Sequence, residues 1–258
     1  MRRFFVCTIF ILLVPIICRC EDIVISVVYN NVVHDDRLQS AWGMACIVQG
    51  LEKTILFDTG GDGAILLSNM EKCNISPNLI DIVVLSHIHA DHVGGLWDFL
   101  AKNSKVTVYV PRSFPHDFKR GIEQLNAKVV AVSSPLKICR RVWSTGQMGT
   151  AISEQSLIID TPQGLVVISG CAHPGIVNIA RRTRQIVKKP IFLICGGFHL
   201  GGHSKSQVDD IIQAFKKMGV ATIGPSHCTG TPAIEQFRHA WGDKFTEFGC
   251  GAKVHIRQ

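Results

Sequence analysis

The pattern of apolar and polar positions changes period several times along the chain. Short apolar runs rich in β-branched residues, separated by polar turns, predict strands, and apolar residues three and four positions apart predict helices. The predicted strands span residues 23–29, 41–48, 53–57, 82–85, 106–110, 128–133, 139–144, 156–160, 165–169, 191–195, 221–224 and 254–256. The predicted helices span residues 62–73, 95–102, 114–127, 176–187, 207–218 and 233–240.

These elements follow one another without a linker or an internal repeat. Two mostly antiparallel sheets, each covered by helices on its outer face, account for this order. We therefore predict the α+β class and a four-layer αββα sandwich, with two mixed sheets flanked by helices. Residues 21–258 are predicted to form this single domain.

The first twenty residues have a different character. Arg2 and Arg3 precede an apolar run from Phe4 to Cys18, and small residues follow at Cys18 and Cys20. A basic start, a short apolar core and small residues two apart are typical of a secretory signal peptide. We predict a signal peptide over residues 1–20 and a periplasmic or secreted protein, with membrane contact only through this segment if it stays uncleaved.

The charge of the chain gives little sign of a nucleic-acid partner. The formal net charge is +7, and removal of Arg2, Arg3 and Arg19 with the signal peptide lowers it by three. The remaining basic residues form no continuous run, and those of the 176–187 helix are spread around it, as on a solvated face. We expect a small-molecule substrate and no nucleic acid.

The cysteines do not form a complete disulfide framework. Of ten, three belong to the N-terminal segment, and the other seven are an odd number with no zinc-finger spacing. Cys46 and Cys195 lie within apolar strands and are expected to be small buried hydrophobes.

The most informative segment is residues 86–95, Ser-His-Ile-His-Ala-Asp-His-Val-Gly-Gly, directly after the buried strand at 82–85. Imidazole and carboxylate groups are preferred ligands of zinc. His87 and His89 are two residues apart, so in an extended segment their rings point to the same side. Asp91 and His92 follow a turn and can face a second ion. The loop therefore predicts a metal site.

This loop resembles the signature motif of the metallo-β-lactamase superfamily. The segment 56–60, Leu-Phe-Asp-Thr-Gly, resembles that superfamily's first motif, in which an aspartate supports the metal loop. Three later segments, at 168–175, 196–200 and 224–228, are similar to one branch. That branch is typified by 7,8-dihydropterin-6-methyl-4-(β-D-ribofuranosyl)aminobenzene 5′-phosphate synthase, and many of its members are called metal-dependent hydrolases.

The resemblance implies a role for each matching residue. It implies one or two zinc ions, with Mn²⁺ or Fe as alternatives, and a metal-activated hydroxide as nucleophile. Asp58 would fix a histidine tautomer or the loop backbone from behind the ligands. The implied ligands are His87, His89 and His173 for a first metal, and Asp91, His92 and His227 for a second.

The chain departs from the superfamily at the usual bridging aspartate, where it has Gly170-Cys171. The Cys171 thiolate, His173 or no residue could complete the bridge. We predict catalytic roles for Asp91 and for His199, although His199 could equally be a ligand, a substrate contact or a proton carrier, or merely bond a nearby carbonyl.

Other polar residues are given structural interpretations. We expect Cys228 to have a packing role. Glu154 and Asp160 could line the pocket, but we expect them to be exposed carboxylates in turns. The remaining histidines, of which His203 alone could fold over the site, are expected at the surface: His34, His116, His203, His239 and His255.

The sequence thus predicts an exported metal-dependent hydrolase acting on an ester or a phosphoester. The alternative is a periplasmic metal-binding or ligand-binding protein that keeps the scaffold without turnover. Tight metal binding without metal-dependent hydrolysis would favour this alternative.

Overall fold

A computed structural model describes residues 22–258 of the chain. The predicted signal peptide lies outside these residues. Within the described range, no helix combines the length and the apolar character needed to cross a membrane.

The predicted elements are present with shifts of a few residues at their ends, except that two short strands replace the one predicted at 139–144. The strands are β1 (Ile23–Asn30), β2 (Met44–Gln49), β3 (Ile55–Phe57), β4 (Ile82–Val84), β5 (Thr107–Pro111), β6 (Lys128–Val132), β7 (Leu136–Cys139), β8 (Val142–Ser144), β9 (Leu157–Thr161), β10 (Gly164–Ser169), β11 (Ile191–Gly197), β12 (Thr222–Ser226) and β13 (Lys253–Ile256). The helices are α1 (Gly63–Lys72), α2 (Ala90–Val93), α3 (Leu96–Lys102), α4 (His116–Gln124), α5 (Ile176–Ile186), α6 (Lys205–Met218) and α7 (Thr231–Trp241). Short 3₁₀ turns span Pro77–Leu79, His227–Thr229 and Gly242–Lys244.

The strands form two mixed sheets. The first has the order β13-β1-β2-β3-β4-β5-β6, and the second has the order β12-β11-β10-β9-β8-β7. Pairing is antiparallel from β13 to β3 and parallel from β3 to β6. In the second sheet β10, β11 and β12 are parallel, and the other pairs are antiparallel.

The prediction of two mixed sheets is confirmed, with antiparallel pairs outnumbering parallel pairs by only six to five. Helices α1, α3 and α4 connect successive strands of the first sheet, and α5 and α6 connect successive strands of the second. A helical crossover returns the chain to the same end of the sheet, so its two strands run parallel.

The apolar residues form three layers of core, as a four-layer sandwich requires. A central cluster joins the inner faces of the two sheets and includes Phe57, Val84, Val166 and Cys195. Each sheet has a second cluster on its outer face, packed against its helices. The α+β class and the helix–sheet–sheet–helix architecture are confirmed.

Two residues with a positive φ, Arg141 and Gly219, mark turns at which the sequence prediction can be compared with the structure. The predicted strand at 139–144 is instead the end of a hairpin formed by β7 and β8, in which Arg141 adopts a positive φ of 68°. Nothing in the residue type signalled that turn. Gly219 ends α6 in the left-handed conformation, with φ of 72°, as expected for a C-cap glycine.

The parallel strands determine where the polar segments meet. Asp58 follows β3, the 86–92 loop follows β4, and residues 170–175 follow β10. His199 and His227 follow β11 and β12. Carboxyl ends of parallel strands share one edge of a sheet, and the edges of both sheets face each other at this point. Loops from both sheets therefore build a single site.

Candidate metal centre

The loop after β4 is held tightly against the segment that follows β3. An added Cβ at Gly94 would lie 2.3 Å from the carbonyl oxygen of Gly61, and one at Gly95 would lie 2.2 Å from that of Thr59. Only glycine permits this approach, which brings the histidine loop next to Asp58.

Three histidines converge on one side of the loop. The ring centroids of His87 and His89 are 4.7 Å apart, those of His87 and His173 are 4.7 Å apart, and those of His89 and His173 are 4.9 Å apart. One ring nitrogen of each lies within 4.8 Å of the others. Among the described residues, the Nε2 atoms of His87 and His173 are buried and have no hydrogen-bond partner.

A second group lies beside the first. The Nε2 atoms of His92 and His227 are 3.2 Å apart. The Oδ2 atom of Asp91 lies 3.3 Å from Nε2 of His227 and 3.6 Å from Nε2 of His92. The rings of His87 and His92 are 4.2 Å apart, so the two groups are contiguous.

Asp58 orients histidines in both groups. Its Oδ2 atom accepts a hydrogen bond from His92 Nδ1 at 2.7 Å and another from the Ser86 hydroxyl at 2.7 Å. Because the Ser86 hydroxyl donates its proton to Asp58, the Ser86 oxygen accepts a hydrogen bond from His87 Nδ1 at 2.9 Å. The Ser86 amide also donates to Asp58 Oδ1 at 2.6 Å. In His87 and His92, Nε2 is therefore left as an unprotonated lone pair.

Asn31 has the same effect on His227. Its Oδ1 atom accepts from His227 Nδ1 at 2.6 Å, and its amide group donates to the His227 carbonyl at 3.4 Å, which defines the orientation of the amide. The lone pair at His227 Nε2 then faces the lone pair of His92 Nε2 and a carboxylate oxygen of Asp91. Acceptors at such distances repel one another unless a proton or a metal cation lies between them.

The residues present therefore fit a bound metal ion. The first group offers three imidazole nitrogens, two of them otherwise unpartnered and buried, which is a costly arrangement without a ligand. The second group offers two imidazoles and a carboxylate. Neutral imidazole and carboxylate are the donor set of zinc and of related divalent metals.

Electrostatics favour the metal-binding protonation states of His87, His173 and Asp91. Burial, together with the neighbouring histidines, lowers the pKa of His87. Burial and the nearby His199 lower the pKa of His173 to about 4. Burial opposes ionisation of Asp91, but the neighbouring imidazoles of His227 and His92 lower its pKa to about 2. For His92, burial opposes the charged form, but the Asp58 carboxylate raises its pKa.

Cys171 lies between the two groups. Its Sγ atom is 3.2 Å from Nε2 of His92, and it forms a possible ligand set with His87 and His92. Glycine at position 170 lets the backbone before Cys171 pass close to Ser86, because an added Cβ would lie 2.1 Å from the Ser86 hydroxyl oxygen. The sequence left open whether Cys171, His173 or no residue replaces the bridging aspartate. The geometry places the Cys171 thiol at the junction of the two groups and His173 in the first group.

The prediction that Glu154 is an exposed turn carboxylate was wrong. Its side chain is buried, with 1% exposure, and it accepts hydrogen bonds from the amides of Cys171, Ala172 and His173 at 2.9, 2.9 and 2.8 Å. Burial raises its pKa, although the three amide donors oppose that change. Asp160 is half-buried and forms an ion pair with Lys189 at 2.6 Å.

His199 and Cys228 lie at the outer side of Cys171. The His199 ring is 4.5 Å from that of His173, and the residue is exposed with a positive φ of 55°. Cys228 contacts the Cys171 carbonyl at 3.7 Å and belongs to a third possible ligand set, with Cys171 and His199. Cys228 thus lies beside polar groups of the site, and the expectation of a packing role was wrong.

The five remaining histidines are exposed, as expected: His34, His116, His203, His239 and His255. Among them, His203 lines a cavity of about 270 Å³ together with His173 and His199. It therefore adjoins the site.

The sequence interpretation missed three residues that shape the site. Ser86 stands next to His87 in the chain, and this adjacency was an available signal. Asn31 and Glu154 reach the site from elements far away in sequence. Nothing local to those two residues marks them.

Comparisons with known proteins agree with this geometry. The family model described as the metallo-beta-lactamase superfamily matches residues 43–179. The chain is 29% identical over 248 residues to 7,8-dihydropterin-6-methyl-4-(beta-D-ribofuranosyl)-aminobenzene-5′-phosphate synthase of Methanocaldococcus jannaschii, covering 78% of this chain and 84% of that protein.

Solved structures show the same fold. Tm1679, described as a metal-dependent hydrolase of the beta-lactamase superfamily, matches with a TM-score of 0.76 and 25% identity, covering 92% of this chain and 100% of that one. The metallo-beta-lactamase fold protein YhfI of Bacillus subtilis matches with a TM-score of 0.66 and 13% identity, covering 91% and 99%. The resemblance drawn from the motifs is confirmed. Because the family model spans more than half of the sequence and the sandwich agrees with it, the chain belongs to the metallo-β-lactamase superfamily.

Proposed function

We propose that the protein is a metal-dependent hydrolase that cleaves an ester or a phosphoester of a small molecule. The observation that carries this proposal is the pair of facing Nε2 atoms, on His92 and His227, beside the Asp91 carboxylate. Hydrogen bonds to Asp58 and Asn31 hold those atoms in position. A preorganised set of acceptors of this kind supports cation binding at an accessible site.

In this proposal His87, His89 and His173 hold one ion, and Asp91, His92 and His227 hold a second. Zinc suits these donors, and Mn²⁺ and Fe are alternatives. When bound, such ions supply Lewis acidity and lower the pKa of water to near neutrality.

The chain's own residues would position the reactants. Asp91 has a side-chain exposure of 22%, so its carboxylate can accept a hydrogen bond from an attacking water molecule. His199 is exposed beside His173 and is placed to exchange a proton with the leaving group. Cys171, at the junction of the two groups, would help to hold the ions together.

We also propose that the protein is exported, on the basis of residues 1–20. N-terminal sequencing of the mature protein tests this proposal. A mature chain that begins near residue 21 supports it, and one that begins at Met1 contradicts it.

The test of the proposed activity combines metal analysis with a substrate screen. The purified protein should contain zinc or a related metal and hydrolyse at least one member of a panel of phosphoesters, esters and lactones. A chelator should abolish that hydrolysis, and added metal should restore it. Bound metal without any metal-dependent turnover would instead support a binding protein.

His89→Ala gives a sharper test of the ligand assignment. Removing one imidazole should lower metal affinity by more than about 100-fold, the upper range for loss of a supporting residue. Activity should disappear, with an unchanged circular dichroism spectrum. His116→Ala, at an exposed histidine of α4, is the matched control and should bind metal normally. Full metal occupancy in His89→Ala would contradict the assignment.

A further inference from the structure

A cavity of about 440 Å³ opens on the outer side of His227. One wall comes from the segment between β1 and β2, and the other comes from the start of α7. We call it the Trp42 cavity, and its main lining residues are Asn31, Val33, Trp42, His227, Thr231 and Ile234. Because His227 belongs to the second ligand group, the cavity adjoins the candidate metal centre.

The wall between β1 and β2 exposes apolar side chains. Trp42 and Val33 are each 61% exposed, more than any other large hydrophobic residue in the described part of the chain. Both line the same cavity. Exposed apolar surface is costly in water, and its concentration beside polar groups is typical of a binding site.

The position of Trp42 relative to the metal centre is set by close contacts. The indole ring lies 4.9 Å from the ring of His227, at an interplanar angle of 52°. Gly43, the next residue, has a φ of 133°, and an added Cβ there would lie 2.3 Å from the carbonyl oxygen of Asp91. The backbone at residues 42–43 therefore packs directly on the metal loop.

The cavity has little charge of its own. Among the residues described as lining it there is no Lys, Arg, Asp or Glu. Away from His227, an anionic group would find no counter-ion there, and a cationic group would find no carboxylate. These walls therefore favour an uncharged group, and the flat indole face favours a planar ring.

We propose that the Trp42 cavity binds an uncharged aromatic or heteroaromatic group of the substrate. The ring stacks on Trp42, and this places the scissile ester or phosphoester against Asp91 and His227. This binding mode rests on the proposed hydrolase function and names the class of substrate. Ring binding itself does not require turnover, so the two can be tested separately.

The binding test uses two neutral probes of similar size, benzyl alcohol and cyclohexylmethanol, with the metal-loaded protein. Saturation-transfer NMR should detect binding of benzyl alcohol and much weaker binding of cyclohexylmethanol. Trp42→Ala should weaken the binding of benzyl alcohol by roughly 3-fold to 10-fold, as expected for loss of one aromatic pair. Trp42→Phe should restore most of it.

Trp97→Ala is the matched control. Trp97 is 38% exposed and packs on Phe118, outside the cavity, so this variant should bind benzyl alcohol like the wild type. Equal binding of the two probes, or an unchanged affinity in Trp42→Ala, would overturn the inference.

The turnover test compares a benzyl ester with an ethyl ester of the same acid. Trp42→Ala should raise KM for the benzyl ester by about 10-fold and for the ethyl ester by less than about 2-fold, with a much smaller change in kcat. Hydrolysis of neither ester by the wild type counts against the proposed function. A loss of benzyl alcohol binding in Trp42→Ala would still support the cavity in that case.

Discussion

At the scale of single residues, Asp58 shows how one side chain organises a site that it does not enter. The carboxylate is fully buried and receives bonds from His92, from the Ser86 hydroxyl and from the Ser86 amide. Its own backbone is strained, with a positive φ of 56°. It determines which nitrogen of His92 carries the proton and, through Ser86, does the same for His87.

Asp58→Asn tests this role. In this variant the side-chain NH₂ group, a hydrogen-bond donor, would face the N–H of His92 or the O–H of Ser86, which are also donors. The imidazoles of His92 and His87 would then lose their preferred tautomer. Metal affinity should fall by about 10-fold to 100-fold, measured by competition with a chelator. Asp62→Asn, at the N-cap of α1, makes the same chemical change and should leave affinity unchanged. An unaltered affinity in Asp58→Asn would contradict the role.

At the scale of elements, the ends of strands carry the chemistry and other segments hold them in place. The turn after β10 is the clearest case, because Ala172 there has a positive φ of 60° and the amides of residues 171–173 all point at Glu154. Glu154 itself lies between β8 and β9 and pairs with Met148 in an isolated bridge. One element thus supplies His173, and another fixes its backbone.

Glu154→Gln should destabilise the protein through this turn. A side-chain NH₂ group would face a backbone N–H, leaving a buried donor unsatisfied at a cost of about 1 to 3 kcal/mol. Urea denaturation should show this decrease in the free energy of unfolding. The amide change in Asp160→Asn, at a half-buried position in an ion pair, should cost less than about 1 kcal/mol. Equal losses in the two variants would refute the special role of Glu154.

At the scale of the whole molecule, the site depends on the packing of one sheet on the other. His87, His89, Asp91 and His92 come from the first sheet, whereas His173 and His227 come from the second. The central cluster between the sheets includes Cys46 of β2 and Cys195 of β11, both without accessible surface. Stability of this interface and metal binding should therefore be linked.

Metal binding should accordingly stabilise the folded state. At a free metal concentration of about 100 times Kd, the gain is about 2.7 kcal/mol, which corresponds to a rise in Tm of roughly 5 to 10 °C for a chain of this size. Thermal melts of the metal-loaded and the chelator-treated protein measure it. His89→Ala should show a smaller difference, and identical melting of the two wild-type samples would count against a site shared between the sheets.

The buried thiols make stability depend on pH in the alkaline range. Burial raises the pKa of both Cys46 and Cys195 above the ordinary value of 9.0. The unfolded chain therefore loses these protons first. The stabilising contribution is fully present below pH 9 and is lost as the pH rises from there towards the folded-state pKa, by up to about 1.4 kcal/mol per pH unit for each thiol.

Urea denaturation on both sides of pH 9 checks this dependence. A variant carrying Cys46→Ala and Cys195→Ala should show a smaller alkaline decline, with the remainder due to other groups of raised pKa such as Cys139. Val48→Ala, at an equally buried position of the same cluster, should lower stability by the same amount at every pH. An alkaline decline of unchanged slope in the double cysteine variant would show that Cys46 and Cys195 do not contribute to it.

Local sequence patterns determined most of the elements, the layered architecture and the 86–92 loop. Each of these depends on residues close together in the chain, whose spacing decides which side chains share a face. His173 and His227 were assigned by resemblance to known motifs, since spacing alone does not connect them to the loop.

Only the tertiary structure decided how the site is completed. The contact between His92 and His227 joins residues 135 positions apart, and that between His227 and Asn31 joins residues 196 positions apart. The burial of Glu154 and the exposure of Trp42 also follow from packing between distant segments. No local pattern encodes such contacts, because they arise only when the carboxyl ends of strands from both sheets meet.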